Sequence, residues 1–231
     1  MQREIEQLLA FVAESREEIV HAKADYFART GGEVHEEDRS FEQRMQGFFN
    51  WYLFDRAGED GLTPVQRYLQ QRGAQLGGPE KDLLIGTTRS RLSLFEFRGR
   101  SALFKRVPEG CVRLRDVVTG DDFDVLEKRP LLGVEEGDLL EARLIPVGVT
   151  HRFSTSFVFH PREARAALLR ELKRRKKRVA AVDARAFCWE ISKMALQAER
   201  FKNVSLPAIY NFEKPFLGHK RPQAAEGAHD E

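Results

Sequence analysis

Cysteine is scarce in this chain: two residues, Cys111 and Cys188, in a length of 231. They lie far apart and lack metal-ligand spacing, which excludes a disulfide framework and a cysteine-based zinc site. Both sit among apolar residues, so they read as reduced core positions of a cytoplasmic protein. Long apolar runs are missing too. None approaches the ~18 residues that a membrane span needs. The opening "MQREIEQLLAFVAESREEIV" is charged throughout, unlike a secretory leader. No phosphate-cradling glycine loop occurs, because "GTTRS" lacks the second glycine and the lysine of that motif. No internal repeat is present.

What the chain has is charge and phenylalanine. Charged residues make up 32% and apolar ones 42%, and 17 Phe are enough to fill a sizeable core. The net charge of +2 hides an asymmetry. Residues 1–60 hold 7 Lys+Arg against 14 Asp+Glu, and residues 161–202 hold 13 against 5. A basic end of this kind suits an acidic partner, or the two ends attract each other.

Apolar residues recur at helical spacing from Arg3 to Arg29, which predicts one long helix. A second helix, capped by Ser40, carries Phe41, Met45, Phe48, Phe49 and Tyr52. Thr63, Pro64 and Gln66 form a capping-box start for a third, and "GGPEKDLL" opens a fourth. From Leu92 the period changes to two. Six segments read as strands: "LSLFEF", "SALFKRV", "CVRLRDVV", "DFDVLEK", "LLEARLIPV" and "HRFSTSFVF". Turns fall at Thr119–Asp122 and Glu135–Asp138. Helices return at Pro161. The fold class is α+β, with N-terminal helices over 1–91, a small antiparallel sheet or partly closed barrel over 92–160, C-terminal helices over 161–202 and a mostly disordered tail over 203–231.

Each candidate chemistry meets a plainer reading. Glu18 and His21 have the i, i+3 relation of carboxylate-bridged metal sites. With Glu14 and Asp25, however, they fall opposite the apolar stripe and face solvent. Ser154 and Ser156 are near His151 and His160 in sequence. Strand alternation sends both serines to the face opposite His151, and no nucleophile-elbow glycines flank them. Asp116, Asp121, Asp122 and Asp124 resemble the carboxylate set of a metal-dependent nuclease. Asp121 and Asp122 occupy a turn that favours Asp for its geometry alone. These readings leave no catalytic residue, metal or cofactor assigned.

The run from Lys173 to Arg178 is six cations long: Lys173, Arg174, Arg175, Lys176, Lys177 and Arg178. Such a run covers a helix on all sides and contains no aromatic residue for base stacking. It reads either as a solvated helix end or as a contact to phosphate. Arg113, Arg115 and Arg143 on the strands extend the candidate surface if they lie beside it. After the run, Phe187, Ile191 and Met194 form one apolar face, while Trp189 and Leu196 lie nearly opposite. A helix apolar on two sides is sandwiched, within the domain or against a second copy.

Four segments carry a resemblance: an aromatic helix ending in "FD", a "G-x-T-P" helix start, "LRDVVTG" and "GDLLEARLIPVG". Over roughly residues 41–165 the chain resembles an uncharacterised bacterial domain often found beside the SEC-C zinc motif, named for the C-terminus of the SecA translocase. The cysteine cluster of that motif is absent here, so no zinc-dependent role carries over. The resemblance implies a fold and no catalytic residue. Three functions stand at this point. The first is a non-enzymatic cytoplasmic binding or adaptor protein that contacts nucleic acid, another polyanion or an acidic protein through the basic helix. The others are a metal-dependent nuclease-like enzyme and a homo-oligomeric structural protein built on the last helix.

Overall fold

The computed structural model describes residues 2–13, 16–100, 110–129 and 132–218. Five helices come first: α1 (Gln2–Val12), α2 (Arg16–Thr30), α3 (Phe41–Phe54), α4 (Pro64–Arg72) and α5 (Gly78–Thr88). The strands follow: β1 (Arg91–Arg100), β2 (Cys111–Asp116), β3 (Asp122–Leu126), β4 (Leu139–Val147) and β5 (Thr150–Phe159). A 3-10 turn (Arg162–Ala164) leads into α6 (Arg165–Lys176), α7 (Ala184–Arg200) and the short α8 (Leu206–Ile209). The class is α+β, with helices at both ends of the sheet.

The single helix expected over Arg3–Arg29 is instead two, α1 and α2. A continuous helix of that length would run ~40 Å. The two halves pack on different neighbours, α1 on α4 and α2 on α7. Ile5, Leu8 and Val12 of α1 and Ala22, Tyr26 and Phe27 of α2 join one core cluster with Phe48, Trp51 and Tyr52 of α3. At the start of α4, Gln66 Oε1 accepts the Thr63 backbone N–H at 2.8 Å, the reach-back half of a capping box.

The strands pair in the order β3-β2-β1-β4-β5, and the sheet curls until β3 and β5 meet at one parallel pair, Val125 against His151. The long β1 serves two partners. Arg91 to Glu96 face β4, and Phe95 to Arg100 face β2. A bulge between Phe97 and Arg100 bends the strand, and Gly99 takes the φ of +88° that this bend requires. Alternation fills the inside with Phe95, Phe97, Val112, Leu114, Val125, Leu140 and Leu144. The outward Leu94 of β1, together with Leu139, is covered by Leu168 and Leu172 of α6 and Phe187 and Ile191 of α7. The strand expected at "SALFKRV" lies outside the described residues.

The tail differs from expectation over residues 203–218. Ile209 and Tyr210 are buried against α6 and α7, with Phe212 and Phe216 beside them. Four large apolar side chains offset the chain entropy of a segment that Pro, Gly and charge suggested was loose. Residues 219–231 lie outside the described residues. The two ends of opposite charge do meet: Arg200 of α7 binds Asp38 through two bonds of 2.9 and 2.6 Å. The Arg200 guanidinium holds the Asp38 carboxyl down at about 2. Among the described residues, no helix is long and apolar enough to cross a membrane.

Candidate functional site

α6 forms because Ala164, Leu168 and Leu172 give it a buried stripe against β1 and α7. Its last turn carries the basic run, where cations suit the negative end of the helix dipole. The six cations are not equivalent. Glu171, 4% exposed, lies one turn upstream. It accepts from Arg174 at 2.6 and 2.8 Å and from Arg175 at 2.7 Å. Burial pushes the Glu171 carboxyl up, but the bonds from the two arginines outweigh it and hold the group below its ordinary value. Arg175 also reaches Glu190 of α7 at 2.5 Å and lies over the rings of Phe187 and Phe212. Arg175 thus pins α6 to α7, while Arg174 is held within α6. Lys173, Lys177 and Arg178 stand exposed, with no carboxylate bonded to them among the described residues.

Lys176 makes the contact that places the run on the barrel: its Nζ donates to the Val117 carbonyl at 2.8 Å. Val117 directly follows β2. Two residues back, Arg115 is exposed and pairs in register with Glu96 of β1. Directly opposed residues of an antiparallel pair share a face. Glu96 binds Arg165 of α6 at 2.6 Å and Arg98 at 3.3 Å. Arg115 therefore lies on the outer face that borders α6. Arg113, on the same side of β2, is held by Asp122 at 3.3 Å and Asp124 at 3.4 Å.

Arg143 is elsewhere. It is 3% exposed on β4, bonded to both carboxylate oxygens of Asp55 and to Ser90 Oγ. The structure thus brings Arg115 to the basic run and keeps Arg143 out of it.

The aspartates serve the β2–β3 turn. Asp116 is fully buried, and its Oδ1 accepts from the Ser93 hydroxyl and the Val118 N–H, both at 2.8 Å, and from the Thr119 N–H at 3.2 Å. Asp121 accepts from Thr119 and Arg91, and the Thr119 bond leads in holding its carboxyl below the usual value. Among the described residues, no group of three or more His, Cys, Asp or Glu is placed to hold a metal ion. Ser154 binds Asn50 and the Ser156 carbonyl, while His151 stacks edge-on against Phe123. His160 hydrogen-bonds Tyr210 at 3.2 Å.

Both faces of α7 are covered within the chain. Phe187, Ile191 and Met194 join the cluster with Leu94 and Leu168. Leu196 and the partly buried Trp189 join the cluster with Tyr26 and Trp51. Of the two sandwiches expected, these side chains make the one inside the domain.

Sequence reasoning missed a buried polar layer between α3, β4 and α7. Arg44, 5% exposed, donates to Ser40 Oγ at 2.9 Å and to the Ser192 carbonyl at 2.8 Å. Glu141, 8% exposed, is pushed up to about 7 by burial, against the pull of Arg44 and of a hydrogen bond from Ser192. The available signal was a Glu and an Arg inside the otherwise apolar strand "LLEARLIPV".

A family model described as a family of unknown function (DUF7986) matches residues 12–194, and the chain belongs to that family. No curated protein and no solved structure matches the chain.

Proposed function

We propose that this member of a family of unknown function binds a polyanion, in its sharpest form the phosphate backbone of nucleic acid. The contact runs over Lys173, Lys176, Lys177 and Arg178 at the end of α6 and Arg115 on β2. One observation carries the reading: the Lys176–Val117 bond, which sets the end of the basic helix beside the outward arginine of β2. Arg174 and Arg175 are left out because Glu171 and Glu190 already neutralise them. Arg143 is left out because it is buried.

The strand order supports the same reading. A ring of β1-β2-β3-β5-β4 is also the order of the five-stranded, partly open Greek-key barrels that bind oligonucleotides or oligosaccharides on their β2–β3 face. The likeness is one of strand order, and function still rests on the residues. Here the outward β2 and β3 positions hold Arg113, Arg115, Asp122 and Asp124 and no aromatic ring. Contact is therefore to phosphate and indifferent to sequence. Two buried free cysteines, with thiols raised by burial, support a reducing cytoplasmic setting. The likeness to domains found beside SEC-C motifs supports a bacterial source.

The test is a salt titration of a fluorescent DNA duplex. With four phosphates neutralised, the log–log slope is about −3.6, from about −0.9 per phosphate. Changing Lys173, Lys177, Arg178 and Arg115 together to Gln removes most of that slope without altering the melting temperature. No binding at about 50 mM salt, or binding that survives the quadruple change, overturns the proposal.

A further inference from the structure

Beneath α3 lies a small cavity between the barrel and the helices. Tyr26, Arg44, Asn50, Glu141, Ser156 and Trp189 are among the residues that line it. Its room for water-sized atoms is about 30 Å³, enough for about two. Gly47 helps keep it open. A Cβ there would stand 2.8 Å from the Tyr26 hydroxyl and 3.7 Å from Ser156 Oγ.

Three side chains on this wall each leave one buried polar atom without a hydrogen-bond partner: Asn50 Oδ1, Glu141 Oε2 and Trp189 Nε1. Asn50 and Glu141 are 3% and 8% exposed. Each of the three is fixed by its other contacts. Asn50 Nδ2 donates to Ser154 Oγ at 3.1 Å. Glu141 is hydrogen-bonded by Ser192. The Trp189 ring stands edge-on to Tyr26 and Trp51, with Arg29 over it. Buried groups of this kind are normally paired, so three around one cavity call for a complement.

The complement is specific. Asn50 Oδ1 needs a donor and Trp189 Nε1–H needs an acceptor, while Glu141 Oε2 accepts when ionised and can donate when protonated. A primary carboxamide has two N–H donors and one carbonyl, so one group supplies both a donor and an acceptor. A carboxylate offers no donor to Asn50 Oδ1. An ammonium offers no acceptor to Trp189, and Arg44 opposes its charge. A wider cleft shares Gln43, Arg44 and Val158 with the cavity and opens outward past Phe159, Ala195 and Leu206, with about 410 Å³ of space. We propose that cavity and cleft form one binding site for a small molecule with an apolar body and a primary carboxamide end, the amide seated among Asn50, Glu141 and Trp189.

Calorimetric titration of the full chain with hexanamide, hexanoate and hexylamine tests this. Hexanamide binds one per chain with a dissociation constant on the order of 1 mM or tighter, and the other two bind at least about tenfold more weakly. Trp189→Phe keeps an aromatic ring but removes the five-membered half of the indole with its N–H, which weakens hexanamide about tenfold. Asn50→Leu does the same from the opposite wall and serves if the first variant does not fold. Three outcomes overturn the site. One is the absence of saturable hexanamide binding, which leaves the cavity to water. The second is equal binding of all three probes. The third is selective hexanamide binding that both folded variants retain.

Discussion

Arg143 of β4 grips Asp55 at the end of α3 through both carboxylate oxygens, with the Nη1–Oδ1 bond 3.0 Å long. Ser90 Oγ accepts a third bond at 2.8 Å, and the Arg143 side chain is 3% exposed. This pair fastens the helical part of the chain to the barrel. Removing one partner leaves the other charge buried and alone. Asp55→Ala is expected to lose about 3–5 kcal/mol. Asp55→Leu combined with Arg143→Met is expected to lose less than either single change, because no lone charge remains. Urea midpoints at constant slope check both.

Asp116 organises the β2–β3 turn by taking three donors on one oxygen. Asp116→Ala strands the Val118 and Thr119 N–H groups and is expected to cost about 1–3 kcal/mol for each buried donor left unpaired. Asp116→Asn keeps an acceptor oxygen and loses less. Thermal melts rank the two variants. Equal melting temperatures for wild type and Asp116→Ala would contradict the structural role.

Two buried groups tie stability to pH in opposite directions. Burial raises Glu141 from 4.5 to about 7. The native state then keeps a proton that the unfolded chain has released, so stability falls as pH rises from about 4.5 to about 7. Burial, with Arg44 adding to it, lowers His160 from 6.5 to about 4. Here the unfolded chain binds the proton first, so stability falls as pH drops from 6.5 to about 4. The two slopes oppose each other through the overlap, and above 6.5 only the Glu141 loss remains. Each full loss is on the order of 3 kcal/mol. Glu141→Gln is expected to abolish the decline above about pH 6.5 and to leave stability rising from about pH 4 to pH 6.5, where His160 is then unopposed, read from urea midpoints. An unchanged decline would assign it to another group.

Trp189 sits where α7 meets the N-terminal helices, edge-on to Tyr26 and Trp51. Trp189→Ala is expected to lose about 3 kcal/mol, at the low end for a Trp truncation because the ring is only partly buried. For a chain of this size that is a fall of roughly 6–12 °C in melting temperature. A fall of a degree or less would mean that the ring is not packed there.

Local signals were strong for the elements. The capping of α4 by Thr63 and Gln66, the turn after β2 and the two apolar faces of α7 are set by residues within a few positions of one another. A periodicity reports sidedness well. It does not report how far a helix continues, which is how Arg3–Arg29 read as one helix and folds as two.

The candidate surface was legible only as composition. Six cations in a row look alike, and the acids that remove two of them are Glu171, one turn upstream, and Glu190, on the next helix. Arg113, Arg115 and Arg143 all alternate with apolar neighbours. β2 turns its arginines to an open face, whereas the outward face of β4 lies beneath the helical layer, where Arg143 meets Asp55. By itself the sequence determined the fold class, the strand alternation, the α4 cap and the scarcity of cysteine, because each depends on composition or on neighbours along the chain. Tertiary structure alone decided which charges are free, which are buried and where a cavity remains. Whether a side chain meets water or another element depends on what folds over it from far away in the sequence.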